Sequence, residues 1–487
     1  MRLSDYAETP KPSVLWVRPP RLLRNILPKF YWRRCRMTIA CDLVLFNCTA
    51  FVPEPLPEAY IGIRNGTIAY VGTQKPDGTA ETAFIDMQRR FVLPGLIDSH
   101  VHFRTPGLDH KEDYRHGSMA ALAGGVTTVL DMPNTKPEIS TRAALQEKEQ
   151  TVQKLSYVHY GHHFLLTRRN LEEIKCLQAG DVASVKVFMA GHETAEHTVY
   201  DYNYLLEAAG ILAAKGMLMT VHAEYEPLLK RTASMAPSGY EEDRRRDAAI
   251  RAVEMMIGIS RQTGCQIHIV HTSTEEEASL IIAAKSKGIP VTCEVIPPHL
   301  VFTNEDLLRK GWDFKLSPPL RTRRDAACLW EHLITGYIDT IGSDHAPHTR
   351  TEKNSSSPPA GMPGVQEMVS VIFSGFIDRG LNPEQAAALI AKYLSQRPAE
   401  LFHIPGKGRL AQGFDADLTV LEPFATFVMT DEKAFSKCKW SIYTGQSLRG
   451  EVQMVFLNGT VVYANNVIQT EQPTGRKITF ESRRCTV

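Results

Sequence analysis

Two histidines one residue apart close a short apolar run, Pro94-Gly95-Leu96-Ile97-Asp98-Ser99-His100-Val101-His102-Phe103-Arg104. On a β-strand, residues i and i+2 face the same way, so His100 and His102 converge. Neutral imidazole is the commonest protein ligand for zinc. An isolated His-x-His is weak evidence, because surface strands carry such pairs by chance. Here four more reactive side chains, Lys186, His222, His271 and Asp344, also follow short β-branched runs. Lys186 lies between Val185 and Val187, where a lysine is out of place unless a carboxylate pairs with it or its stem reaches water. Desolvation favours its neutral amine. A neutral amine can add carbon dioxide and become a carbamate, a carboxylate on a long stem that can bridge two metal ions. His222 or His271 alone reads as a half-buried structural histidine; with His100 and His102 they make a ligand set. His268, three residues before His271, is expected to face the opposite way, toward helices. Asp344 can cap a turn, or ligate an ion and exchange protons with a metal-activated water.

These side chains need strands that end on a common face. The centre of the chain supplies candidates at Leu96–Phe103, Thr127–Met132, His159–Leu165, Ser184–Met189, Met217–His222, Gln266–His271, Val291–Val295 and Thr340–Ser343. Helical patterns lie between most of them, as at 143–155, 204–214, 244–260, 275–287 and 324–333. Strands alternating with helices imply βαβ units and a parallel sheet. The expected fold class is therefore α/β, with a (β/α)8 TIM-type barrel over residues 91–408. A doubly wound sheet is the rival, but no Gly-rich phosphate fingerprint follows the first strand. In a barrel the strand C-termini share the face where active sites sit, and the candidate ligands all lie there.

Both chain ends read as short strands with turns. Asn65-Gly66 and Asn458-Gly459 are strong hairpin signals. Residues 37–90 and 409–470 are expected to meet as one small β-sandwich domain, followed by a tail at 471–487. Residues 1–36 are arginine-rich and proline-broken, and are expected to be a basic, disordered extension. A transit peptide, or translation starting at Met37, are the alternatives. With 487 residues and 43% hydrophobic content, the chain can bury a large core. A net charge of +1 gives no electrostatic case for nucleic acid, and no apolar window is long enough to span a membrane. The nine cysteines show no Cys-x-x-Cys pair, which points to reduced thiols and a cytoplasmic setting.

In order, His-x-His, Lys, His, His and Asp on a barrel resemble the amidohydrolase superfamily, in its cyclic amidohydrolase branch. Within that branch the chain looks like the lysine-containing dihydroorotases, similar to the dihydroorotase domain of the animal multifunctional pyrimidine-synthesis protein. The likeness runs from Cys41 to Val467. It rests on Pro94–Arg104, Asp131-Met132-Pro133-Asn134-Thr135-Lys136-Pro137, Cys293-Glu294-Val295, Pro318-Pro319-Leu320-Arg321, Ser343–His348, Gly361-Met362-Pro363-Gly364 and Gly413–Leu418 in combination.

The resemblance implies two zinc ions per chain. His100 and His102 would hold one, His222 and His271 the other, and N6-carboxylated Lys186 would bridge them. Asp344 would complete the first site and act as general acid/base. Arg104, Asn134 and His348 would bind the substrate carboxylate; the competing role for Arg104 is a pair with Glu112 or Asp113. Glu294 resembles a residue that takes part in an extra metal contact in some relatives. The implied reaction interconverts L-dihydroorotate and N-carbamoyl-L-aspartate in pyrimidine biosynthesis. The implied partners are a homodimer or other homo-oligomer and other pyrimidine-pathway enzymes. Allantoinase, dihydropyrimidinase or hydantoinase activity is the alternative, and a non-catalytic scaffold the minor one. Pro298 and Ser317 depart from the usual family pattern near the expected pocket. The loops 354–360 and 191–197 are candidate lids.

Overall fold

A computed structural model describes residues 40–191, 194, 197–230 and 236–482. The expected extension at 1–36 lies outside the described residues. Strands Leu43–Phe51, Pro55–Arg64, Thr67–Gly72, Ala83–Asp86 and Phe91–Pro94 share one nine-stranded sheet with Leu418–Val428, Ser447–Leu457, Thr460–Ala464 and Val467–Ile468. The two ends meet where Phe91–Pro94 pairs antiparallel with Leu418–Leu421 and parallel with Thr49–Ala50. Asn65 and Gly66 turn the hairpin of Pro55–Arg64 and Thr67–Gly72 at φ of 50° and 76°, and Asn458 and Gly459 turn that of Ser447–Leu457 and Thr460–Ala464 at 46° and 77°. Both residues of such a turn need positive φ, which is why Asn-Gly marks it in sequence. Leu45, Ile61, Ile63, Val92, Leu418, Val420 and Phe456 pack inside this β-sandwich domain.

The centre is a TIM-type barrel. Its strands are Leu96–Val101, Val126–Asp131, His159–His162 continued by Phe164–Leu165, Val185–Phe188, Met219–His222, Ile267–Ile269, Val291–Val295 and Thr340–Ile341. All neighbours in this series pair in parallel. The seam between the last and first strands closes at a Val101–His345 bridge, with His102 N–H donating to the His345 carbonyl at 2.8 Å. The third strand breaks at His163, and its lower half has a different outer neighbour. Tyr160 N–H donates to Arg476 O at 3.0 Å and Ile478 N–H donates to Tyr160 O at 2.9 Å. The described part of the tail is thus a piece of the barrel wall. Ile478 and Phe480 join Ile97, Leu130, Leu218 and Phe402 in an apolar plug.

One expectation about facing fails. His268 is fully buried inside the barrel, with Nδ1 2.9 Å from Thr292 Oγ1 and its ring 5.9 Å from that of Phe402. Its register explains this: Lys186, Thr220, His268 and Thr292 are neighbours in one row. The parity argument assumed a strand running on to His271. The strand stops at Ile269, and His271 sits beyond it at φ 39°.

Asp131 at the end of the second strand forms a buried ion pair with Lys148 (Nζ to Oδ2, 2.6 Å), and its other oxygen accepts the Phe103 N–H at 2.9 Å. Removing one partner of a buried pair costs about 3–5 kcal/mol. Lys148→Met is therefore predicted to lower unfolding free energy by about that amount in urea titrations. A loss within error of zero would show the pair to be dispensable.

Candidate metal centre

The first strand delivers His100 and His102, and the last delivers Asp344. Asp344 Oδ1 lies 3.4 Å from His100 Nε2 and 3.2 Å from His102 Nε2. The three side chains form a buried group whose ligand atoms all fall within 4.8 Å of one another. Across the mouth, His222 Nδ1 faces His271 Nε2 at 3.0 Å. Lys186 Nζ is fully buried between strands and makes no hydrogen bond. His271, Asp344 and Arg104 follow their strands in the left-handed region, at φ of 39°, 47° and 63°. Non-glycine residues held there cost about 1–3 kcal/mol each and gather at functional sites.

In three of the four rings the nitrogen that faces away from the centre is held, while His271 Nδ1 is buried without a hydrogen bond. His100 Nδ1–H donates to Glu294 Oε1 at 2.7 Å, and Ser99 Oγ–H donates to Glu294 Oε2 at 3.1 Å. His102 Nδ1–H donates to Asn134 Oδ1 at 2.7 Å. His222 Nε2–H donates to Glu224 Oε2 at 2.9 Å, and Arg244 Nε–H donates to the same oxygen at 3.0 Å. Such partners fix ring orientation and tautomer, leaving the inward nitrogen free to ligate. Gly342 is needed beside this cluster, since a Cβ there would sit 2.5 Å from Glu294 Oε2 and 2.9 Å from His100 Cβ.

Burial lowers the His102 imidazole to about 3, and also lowers His222 and, further, His271. These rings are neutral, as ligands must be. Burial also lowers the Lys186 amine to about 7, with Glu294 and Asp344 opposing that shift. Burial pushes the Asp344 carboxyl up, but His100, His102 and Lys186 outweigh it and hold it below the usual range. The residues fit a pair of divalent ions. His222 Nδ1, whose ring is protonated on the side of Glu224, faces His271 Nε2 at 3.0 Å, and the Lys186 amine is buried without a hydrogen bond.

A cleft of about 380 Å³ opens over this centre, lined by His100, His102, Arg104, Phe188, Ser317 and Gly361 among others. The substrate-binding expectations divide here. Arg104 is 2% exposed, lines the cleft, and has Nε and Nη1 without hydrogen-bond partners. It makes no pair with Glu112 or Asp113, which bind Lys437 N–H and Nζ respectively. Asn134 has its oxygen on His102 Nδ1 and donates its amide to Thr194 Oγ1 at 3.2 Å. His348 is fully buried behind Arg104, 3.3 Å from Nη2, and its Nε2–H donates to the Ala360 carbonyl at 3.1 Å. Glu294, expected to take part in an extra metal contact, has its two oxygens on Ser99 and His100.

Of the candidate lids, residues 358–361 are pinned: Lys315 Nζ donates to Pro358 O at 2.6 Å, and Lys353 Nζ to Pro359 O and Gly361 O at 3.0 and 3.1 Å. In the other, 192, 193, 195 and 196 lie outside the described residues. Glu224 and Arg244 were missed by sequence reasoning. The signal for Glu224 was present as His222-x-Glu224, the same i, i+2 spacing as the two opening histidines.

A barrel with this mouth defines a metal-dependent cyclic amidohydrolase. Residues 91–462 match the model of the amidohydrolase family, and the chain belongs to that family. It is similar to an allantoinase of Deinococcus radiodurans, 34% identical over 450 residues covering 90% of this chain and 98% of the relative. It is also similar to a dihydroorotase of Carboxydothermus hydrogenoformans, 32% identical over 397 residues covering 79% and 89%. Among solved structures it resembles the L-hydantoinase (dihydropyrimidinase) from Arthrobacter aurescens, with a TM-score of 0.85 at 28% identity, covering 90% of this chain and all of that one.

Because the Lys186 amine sits near 7, its reactive neutral form grows as pH rises through that value. At fixed dissolved carbon dioxide, metal uptake by stripped protein is predicted to speed up between about pH 6 and 8. Lys186→Ala should lose metal, with partial recovery when a short carboxylic acid is added. A pH-independent uptake rate, or full metal content in Lys186→Ala without additive, would remove the lysine from the centre.

Proposed function

We propose that this chain is a zinc-dependent amidohydrolase whose ring substrate carries a carboxylate, interconverting L-dihydroorotate and N-carbamoyl-L-aspartate. The observation that carries this reading is Arg104: a guanidinium buried in the cleft, with Nε and Nη1 unpartnered. A buried cation without an anion is costly, and a planar fork matches a carboxylate. A neutral ring such as hydantoin or dihydrouracil leaves it unpaired, and so does the ureido group of allantoin.

In this reading His100, His102, Asp344, His222, His271 and carboxylated Lys186 hold two zinc ions. What those ions supply when bound is polarisation of the scissile carbonyl and a nucleophile formed from water at neutral pH. Asp344 takes the proton the attacking water gives up and delivers it to the leaving ring nitrogen, acting as base and then acid. Arg104 fixes the ring by its carboxylate. Asn134 keeps the His102 ring aimed inward, and His348, backed by Lys111 Nζ at 3.2 Å, supports the guanidinium from behind.

A second reading, allantoinase, is favoured by the relatives: the Deinococcus protein at 34% identity carries that name. Turnover of dihydroorotate, allantoin, dihydrouracil and hydantoin by the zinc-loaded protein separates the two. The carboxylate reading predicts dihydroorotate as the preferred ring; faster opening of allantoin overturns it and leaves the amidohydrolase class intact. Arg104→Met should keep its metal and lose at least about ten-fold in kcat/KM for dihydroorotate, because a charge-assisted hydrogen bond contributes about 1.5–3 kcal/mol. Asp344→Asn should lose about 10²–10⁴-fold in kcat. Unchanged kinetics in either variant would reject that residue's role.

A further inference from the structure

The sheet domain does more than flank the barrel. The connection between its strands Leu418–Val428 and Ser447–Leu457 reaches over the barrel mouth and touches the segment that carries Asp344. Trp440, 1% exposed, donates its indole N–H to the His348 carbonyl at 2.8 Å. Ser436 Oγ–H donates to Glu112 Oε2, and Lys437 N–H donates to Oε1 and Oε2 at 3.1 and 3.2 Å. Glu112, fully buried just before the helix Tyr114–Ala123, also accepts the Asp113 N–H at 3.1 Å.

The remaining contact of Glu112 is with His345. His345 Nδ1 accepts two backbone donors, Gly364 N–H at 3.1 Å and Val365 N–H at 3.3 Å. That nitrogen therefore carries no proton, so the proton sits on Nε2, which lies 3.4 Å from Glu112 Oε2. The backbone of the same residue closes the barrel: its carbonyl accepts the His102 N–H, and its N–H donates to Ser343 Oγ at 3.0 Å. Asp344, the preceding residue, is held at φ 47°, a conformation that persists only where neighbours over-determine it.

We propose that Glu112 and His345 form a positioning pair for Asp344, anchored by the sheet domain through Ser436 and Lys437. This rests on the reading of Asp344 as metal ligand and proton carrier. With Glu112 on Nε2 and the Gly364 and Val365 N–H groups on Nδ1, the His345 ring is held by both nitrogens. It thereby fixes the peptide between the Asp344 carboxylate and the strand that bears His102. Neither residue touches the substrate.

Glu112→Gln, His345→Asn and the double variant, made in the full chain and loaded with zinc, test this. Asparagine keeps an acceptor for Gly364 and Val365 and cannot reach Glu112. Each single variant is expected to lower kcat about 10–100-fold on the ring that wild type opens fastest, with both metal ions retained. KM should change by less than about two-fold, because no binding contact is removed. The double variant should fall no further than the worse single one, since both remove one contact. Losses that multiply, or a raised KM at unchanged kcat, overturn the proposal. Ser436→Ala takes away only one donor to Glu112. It is expected to lower kcat in the wild-type background and to have no further effect in His345→Asn; equal effects in both also overturn it. A wild type that opens no cyclic amide would refute the reading of the site. The visible spectrum of the cobalt(II)-loaded protein would then decide: shifted bands in both single variants support the positioning pair, and an unchanged spectrum in either refutes it.

Discussion

A lysine amine sealed within a barrel strand with no hydrogen-bond partner is the constraint around which the mouth is built. A charged ammonium there would face a large desolvation penalty, and that penalty brings the group down to about 7. Two ways of removing the conflict are chemically open. The amine can stay neutral and idle, or it can become a carbamate and take its place among ligands. The second fits what surrounds it, since two imidazoles and the Asp344 carboxylate gather their ligating atoms within 4.8 Å of one another, and two more imidazoles face each other at 3.0 Å. The buried guanidinium of Arg104 poses a similar question with the opposite answer. Arginine does not lose its charge in proteins, and the carboxylates of Asp344 and Asp131 act on this one from nearby without a hydrogen bond to Nε or Nη1, which leaves two donors open to the cleft.

Around the ligands lies a layer of fixed partners: Glu294 behind His100, Asn134 behind His102, and Glu224 with Arg244 behind His222. Glu294 lies in a strand, Asn134 follows the second strand, and Glu224 and Arg244 follow the fifth, so geometry at the centre is set by the closed barrel and not by any one loop. The seam of that barrel runs through His345, and the sheet domain is linked to it through Glu112. Fold closure and the strained Asp344 therefore share one peptide unit, with the second domain one side chain away.

Much of this was legible in the sequence because it is local. Asn-Gly turns, β-branched runs and the His-x-His pair each declare their geometry within a few residues. The ligand set was legible because strand C-termini share a face. What was not legible depends on contacts distant in sequence. Asn134 and His348 were assigned to substrate, but whether an amide or an imidazole faces the cleft or a neighbour is decided by packing. The inward facing of His268 was missed because strand parity ends where the strand does, two residues before His271. The segment Arg476–Ile478 has no strand signal of its own, and joins the wall because the third strand breaks at His163. Arg244 lies 20 residues from Glu224, with no periodicity to link them.

A carbamate on Lys186 would be directly observable. Zinc-loaded protein equilibrated with ¹³C-labelled bicarbonate should show a slowly exchanging carbamate carbon in its NMR spectrum, present in the wild type and missing from Lys186→Met. An active wild type without that signal, or the same signal in both proteins, would contradict the account.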